Sequence, residues 1–302
     1  MIASSTKKSP LEIWWLAIRP RTLPAAAAPV LVGSALAFYD NAFQFFPALA
    51  ALLGALLLQI GANLANDVFD FKKGADTHER LGPPRVTQMG LLAPNQVLIG
   101  MCVSLGLAAL IGLYLIYVGG WVILVIGILA ILCAIAYTGG PFPLGYLGLG
   151  EVFVFLFFGL AAVCGTYFVQ AGTVSPLAWL AAIPIGLLAC AILVVNNLRD
   201  IDTDRAAGKK TLAVRFGVNA AKWEYRVFLA LAYLIPLTFV FFDFELLWVL
   251  LAWGSLPLAR PLLRLVQNER GRALNAALAG TARLEFVYAL LFASGLILAR
   301  VL

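Results

Sequence analysis

An all-α polytopic membrane protein is what this sequence predicts, and three observations carry that reading. The chain has 302 residues, 63% of them apolar and only 12% charged, with a mean hydropathy of +0.96. Several apolar runs exceed the roughly 18 residues that a helix needs to cross a bilayer core. Charge is sorted by position: apart from Arg300, every Lys and Arg falls at the N-terminus, in alternate loops or within a turn or two of them. This composition excludes a soluble domain of the same length. The net charge of +6 suits anionic lipid and a polyanionic substrate rather than nucleic acid.

Taken in order, residues 1–21 (ending IWWLAIRPR) read as a basic, amphipathic, interfacial segment and not as a signal peptide. Nine spans follow at approximately 22–40, 46–68, 95–117, 120–138, 149–170, 176–198, 226–243, 244–263 and 283–301, in a single domain over 1–302. The loops after spans 1, 3, 5 and 7 are short and nearly free of Lys and Arg. Those after spans 2, 4, 6 and 8 are longer, and all but the fourth-span loop are basic. The positive-inside rule puts the N-terminus in the cytoplasm, and an odd span count puts the C-terminus outside, in a cell (inner) membrane. Pro184, Pro236 and Pro257 are expected to kink helices without ending them.

At the end of span 2, Asn63, Asn66, Asp67 and Asp70 share one helix face, spaced 0, 3, 4 and 7. A carboxylate deep in hydrocarbon costs about 2.5–3.5 kcal/mol on insertion scales, and two on one face repel each other. A divalent cation at a helix mouth resolves both costs. Lys72, Lys73 and Asp76 follow at once. The end of span 6 repeats the pattern: Asn196, Asp200 and Asp204 lie four apart, Asn197 precedes Asp200 by three, and Lys209 and Lys210 follow. Alone, this second cluster reads equally well as a solvated loop. Two matching clusters on one membrane face favour a shared site.

The loop 77–94 carries Arg80 and Arg85 around a stiff Gly-Pro-Pro, and guanidinium groups bind phosphate oxygens with paired hydrogen bonds. Topology alone also explains single arginines there, as it does those of region 264–283. The fourth-span loop is rich in Gly and Pro and brings Tyr137, Tyr146 and Glu151 to the same mouth. Cys102, Cys133, Cys164 and Cys190 all lie in apolar segments without CxxC spacing and read as core residues. His78 is the single histidine, in a charged loop.

Two carboxylate clusters, Mg²⁺, lysines and arginines are what a diphosphate requires. An intramembrane position implies that the rest of the substrate is apolar, which a prenyl diphosphate satisfies. Ionisation of its C–O bond leaves an allylic cation, which needs aromatic faces and little water.

NDVFD (66–70) with Asp76, YTGGPFPLGYLGLGE (137–151) and NNLRDIDTDRAAGKKTLAVRFG (196–217) resemble the UbiA-type intramembrane aromatic prenyltransferase superfamily. RPRTLPAAAAPVLVG (19–33), NLANDVFDFKKGAD, GPPRVTQMG and NNLRD are similar to its 1,4-dihydroxy-2-naphthoate branch, which serves menaquinone or phylloquinone synthesis. The resemblance covers nearly the whole chain in order. It implies nine transmembrane helices around a central cavity open to the membrane, and Mg²⁺ held by Asp67, Asp70, Asp200 and Asp204. It makes Lys72, Arg80, Arg85 and Lys209 diphosphate partners, puts Asn63, Asn66 and Tyr137 at the reaction centre, and adds Asp76, Asn196 and Asn197 to the substrate-binding set. One departure stands out: the family's third Asp often lies four after the second, where this chain has Gly74.

The implied reaction is transfer of a polyprenyl or phytyl group from its diphosphate to 1,4-dihydroxy-2-naphthoate. Diphosphate and CO₂ are lost, and demethylmenaquinone or demethylphylloquinone results. Alternatives are another aromatic acceptor, 4-hydroxybenzoate or homogentisate, and a cation-coupled transporter. Against the transporter, both clusters lie at one face, and spans 3, 5, 7 and 9 offer no polar path to the other.

Overall fold

A computed structural model describes residues 8–74 and 80–302. Asp76 and His78 fall outside the described residues. The described chain is helical with no strand. A short helix α1 (Pro10–Ile18) opens on a capping box, in which Ser9 and Glu12 each bond the other's backbone amide. It packs Ile13, Trp14 and Ala17 against Leu64, Val68 and Val97 of the bundle.

The spans are α2 (Leu23–Tyr39), α3 (Phe45–Lys72), α4 (Pro94–Ala136), α5 (Gly150–Ala171) and α6 (Pro176–Arg199). Two short helices, α7 (Ile201–Ala206) and α8 (Leu212–Phe216), lead to α9 (Val218–Phe241), α10 (Phe244–Asn268) and α11 (Gly271–Val301). Eight of these helical segments are long and apolar enough to cross a bilayer, with α2 counted together with α1.

The 43 residues of α4 are about twice what one crossing needs. Gly120, at φ 66° and ψ −155°, breaks it in two. Leu105 packs on Gly61 and Ile111 near Gly54, so the first arm runs antiparallel to α3. Ile131 and Ile135 of the second arm return to the cluster around Leu64 and Val68. The chain therefore turns back at Gly120, so the eight apolar helical segments among the described residues give nine arms, the number that the hydropathy pattern predicts.

Three boundaries differ from expectation. The helix around span 7 starts at Val218 rather than 226, because its first turns (Lys222, Glu224, Tyr225) are amphipathic and give no apolar signal. The last helical segment starts at Gly271 rather than 283, through a stretch of small residues that carries Asn275. The helix of the second acidic cluster is not continuous either. It pauses at Asp200 (φ −96°, ψ 10°) and restarts as α7, although the Asp204 amide still donates to the Asp200 carbonyl at 2.7 Å.

The core is built on α6, most of whose residues are buried among α2, α5, α9 and α11. Gly159 and Gly186 let the backbones of α5 and α6 touch, since a Cβ on Gly159 would lie 2.9 Å from the Cα of Gly186. Wide helical turns at Phe155–Ala161 accompany this approach. All four cysteines are free thiols.

Polar pairs at the far face close the other end of the bundle. Tyr39 donates to Asp243 at 2.9 Å, Gln44 Nε2 to the Gln170 carbonyl at 2.6 Å, and Arg300 Nε to Asn41 at 3.0 Å. Arg300 and Asn41 thus lie at the end of the bundle opposite the acidic helix ends.

Candidate active site

The four polar residues of the α3 face each hold a different part of the protein. Asn63 donates to the Ile18 carbonyl at 3.0 Å and to Thr22 Oγ1 at 2.8 Å, fixing the turn after α1. Asn66 Oδ1 accepts from Thr138 Oγ1 at 3.0 Å. Asp67 accepts from the backbone amides of Val86 and Thr87 at 3.2 and 3.3 Å. Asp70 accepts from the Tyr146 hydroxyl at 2.9 Å and pairs with Arg85 at 2.7 Å. Arg85 also donates to the Asn66 carbonyl.

The second cluster is balanced by cations of its own segment. Arg199, 2% exposed, grips Asp200 with two donors, Nε at 2.8 Å and Nη2. It also donates to Asn196 at 2.8 Å and to Asn275 at 3.0 Å, and Asn275 in turn donates to the Leu81 carbonyl at 2.8 Å. Lys209 pairs with Asp204 at 3.1 Å.

Tyr146 joins the two clusters. Its hydroxyl is on Asp70, while the ammonium of Lys209, the partner of Asp204, lies 4.8 Å from its ring centroid. The Lys73 ammonium is 5.0 Å from the same centroid and donates to the Thr138 carbonyl at 2.7 Å. Backbone contacts stitch the loops together, since the Lys210 amide donates to the Tyr146 carbonyl at 2.8 Å and Arg215 Nη2 to the Leu147 carbonyl at 2.8 Å. Burial and the adjacent Asp70 hold the Tyr146 phenol well above its usual range. Burial raises the Asp204 carboxyl, with Lys209 opposing it, and burial lowers the Lys73 ammonium.

One cavity of about 1100 Å³ runs inward from this network. Asp70, Asp200 and Asp204 line its mouth together with Arg80, Arg85 and Lys209. Asn63, Asn66, Tyr137, Asn196 and Asn197 also face it. Deeper, the walls are apolar and reach Ile123 next to the Gly120 turn. Phe153 and Phe157, stacked with centroids 6.4 Å apart, present aromatic faces along the way.

Two expected site residues lie elsewhere. Lys72 is exposed and does not line the cavity, and the neighbouring Lys73 is the lysine that reaches Tyr146. Asp67 is 1% exposed and is also absent from the cavity wall. Tyr146, expected at the mouth, links the two clusters, and three residues that the sequence did not single out join the network: Thr138, Arg199 and Asn275. A buried arginine directly before an Asp in NNLRD was a usable signal, whereas Asn275 offered none.

The family model for the UbiA prenyltransferase family matches residues 26–290. This chain belongs to that family. A 1,4-dihydroxy-2-naphthoate octaprenyltransferase of Escherichia coli (strain K12) is 39% identical over 298 residues, covering 96% of each chain. The protein of the same name from Mycobacterium tuberculosis is 41% identical, over 94% of this chain and 96% of its own. In fold, the chain is similar to a UbiA homologue from Archaeoglobus fulgidus whose structure holds DMAPP and Mg²⁺. The TM-score is 0.61 at 14% identity, covering 93% of this chain and 99% of that one.

Proposed function

We propose that this prenyltransferase moves a polyprenyl or phytyl group from its diphosphate to 1,4-dihydroxy-2-naphthoate, releasing diphosphate and CO₂. The observation that carries the reading is the Asp70–Tyr146–Lys209–Asp204 chain of contacts. It brings both acidic helix ends to the mouth of one apolar cavity. The two naphthoate octaprenyltransferase relatives support the acceptor, and the DMAPP and Mg²⁺ of the A. fulgidus homologue support the donor class and the metal.

The donor set fits Mg²⁺. Asp70, Asp200 and Asp204 offer oxygens at the mouth, and among the described residues no three acidic, thiol or imidazole groups enclose a metal unaided. Mg²⁺ is commonly held by one or two carboxylates plus substrate phosphates, so the diphosphate would complete its shell. Bound there, the metal supplies neutralisation of the leaving diphosphate. Arg80, Arg85 and Lys209 face the same space and stabilise the charge that grows on the leaving oxygens.

The bond between the allylic carbon and oxygen breaks with its electron pair on the diphosphate. The ring carbon that bears the carboxylate forms the new C–C bond, and a ring hydroxyl yields its proton as it becomes a carbonyl. Loss of CO₂ returns the pair of its C–C bond to the ring, which takes a proton back as the hydroxyl re-forms. Phe153 and Phe157 line the wall that shields the cation from water. Pocket walls that reach Ile123 leave room for an isoprenoid tail. The mouth faces the cytoplasm of a cell membrane in this reading, with the N-terminus on the same side.

The test is direct. Purified protein receives Mg²⁺, a panel of aromatic acids and prenyl diphosphates of several lengths, and product mass and CO₂ are measured. Prenylated naphthoquinol with one CO₂ per turnover supports the proposal. Prenylation of 4-hydroxybenzoate or homogentisate alone refutes the acceptor.

A further inference from the structure

We infer that Asp67 is a positioning residue that sets Arg85 on Asp70 and does not ligate the metal, an inference that rests on the prenyl-transfer reading above. Asp67 and Asp70 share the polar face of α3 but face different neighbours. Both are buried, but Asp70 lines the cavity, whereas Asp67 is absent from its wall. Both Asp67 oxygens accept main-chain amides, from Val86 and Thr87, the two residues that follow Arg85.

Those amides begin a compact turn. The Met89 amide donates to the Arg85 carbonyl at 2.9 Å, Gly90 to Thr87 at 3.0 Å and Leu91 to Val86 at 2.9 Å. The first amides of such a turn have no acceptor within it, so Asp67 serves them as a capping side chain serves a helix start. Main chain fixed at 86–87 leaves the Arg85 side chain little choice of direction. It reaches back along α3 to the Asn66 carbonyl and to Asp70. A diphosphate-binding guanidinium is thereby held next to a metal ligand by a carboxylate that touches neither substrate nor metal.

The test compares Asp67→Ala, Asp67→Asn, Asp70→Asn, Arg85→Ala and the double variant Asp67→Ala/Arg85→Ala. Kinetics are read against both prenyl diphosphate and Mg²⁺. Loss of an outer-layer contact of this kind is expected to raise the prenyl diphosphate KM about 10-fold in Asp67→Ala, with kcat less affected. Asp67→Asn keeps one acceptor oxygen and recovers part of that loss. In both, half-saturating Mg²⁺ stays within about 2-fold of wild type, while Asp70→Asn raises it about 10-fold or more. The double variant is no worse than Arg85→Ala, because both remove one unit.

A second readout needs neither metal nor substrate. Amide hydrogen exchange at 86–91 speeds up in Asp67→Ala and stays at the wild-type rate in Asp70→Asn. If Asp67→Ala does not fold, Asp67→Asn carries the same two readouts. A Mg²⁺ shift in Asp67→Asn equal to that of Asp70→Asn overturns the inference, as does unchanged exchange at 86–91. Wild-type protein without prenyl transfer would remove the functional reading, while the exchange result would still decide whether Asp67 clamps the turn.

Discussion

The carboxylates of the first acidic helix end are held by distant segments, and those of the second by their own. Asp70 takes Arg85 and Tyr146 from two separate loops, and Asp67 takes the amides of Val86 and Thr87, next to Arg85 in the first of them. Asp200 takes its neighbour Arg199, and Asp204 takes Lys209 a few residues on. Residues of the same kind, at nearly the same spacing, thus do different work. The end of α3 assembles the mouth from the turn after α1, the Arg85 loop and the Tyr137–Tyr146 loop. The end of α6 arrives with its charge already balanced and needs only to be docked, through Lys210, Arg215 and Asn275. A change on α3 should therefore disturb several contacts at once, and a change on α6 should stay local.

The largest effect expected is on the carboxylates that face the cavity. Asp70→Asn and Asp204→Asn should each lower kcat/KM by about 10²–10³, the scale of lost transition-state charge stabilisation. Chelation by EDTA should abolish turnover, and added Mg²⁺ should restore it. A steady-state assay on both variants checks this, and near-normal turnover in one alone would break the equivalence of the two ends.

Next comes Arg199→Ala, which strips Asp200 of its bidentate partner and Asn275 of its donor. A loss of roughly 10–100-fold is expected, as for other groups that orient a ligand. Because its partners lie in its own segment and at Asn275, hydrogen exchange should change only near 196–204 and 275, whereas Arg85→Ala should loosen both 80–92 and 137–147.

Smaller again is Tyr146→Phe. It removes the hydroxyl from Asp70 but keeps the ring under Lys209 and Lys73. A hydrogen bond to a charged group contributes about 1.5–3 kcal/mol, so a loss on the order of 10-fold in kcat/KM, mostly in the donor KM, is expected. The smallest effect should be at the far face: Tyr39→Phe costs about 1 kcal/mol of stability by thermal melting and leaves turnover within about 2-fold.

Much of this was legible in the sequence because both signals are local. Hydropathy marks the spans, and amides and carboxylates spaced by three and four at the ends of apolar runs mark the mouth. The break in α4 was readable too, since VGG interrupts a run too long for one helix. What escaped depends on tertiary contact. Nothing local distinguishes Asp67, bound to loop amides, from Asp70, facing the cavity one turn later. Lys72 and Lys73 are adjacent and alike, and only packing around Tyr146 selects the second. Asn275 lies in a run of small residues whose helical start is invisible to an apolar window. The fourth-span loop holds no cation of its own, yet Lys73 and Arg215 from other segments bind its carbonyls.

The central claim is that both acidic ends serve one metal-diphosphate centre. The most direct measurement is anomalous diffraction from the protein bound to Mn²⁺ and an unreactive prenyl thiodiphosphate. Metal peaks are expected about 2 Å from oxygens of Asp70 and of Asp200 or Asp204, with the diphosphate between them. Metal confined to one helix end, with the diphosphate out of reach of the other, would contradict it.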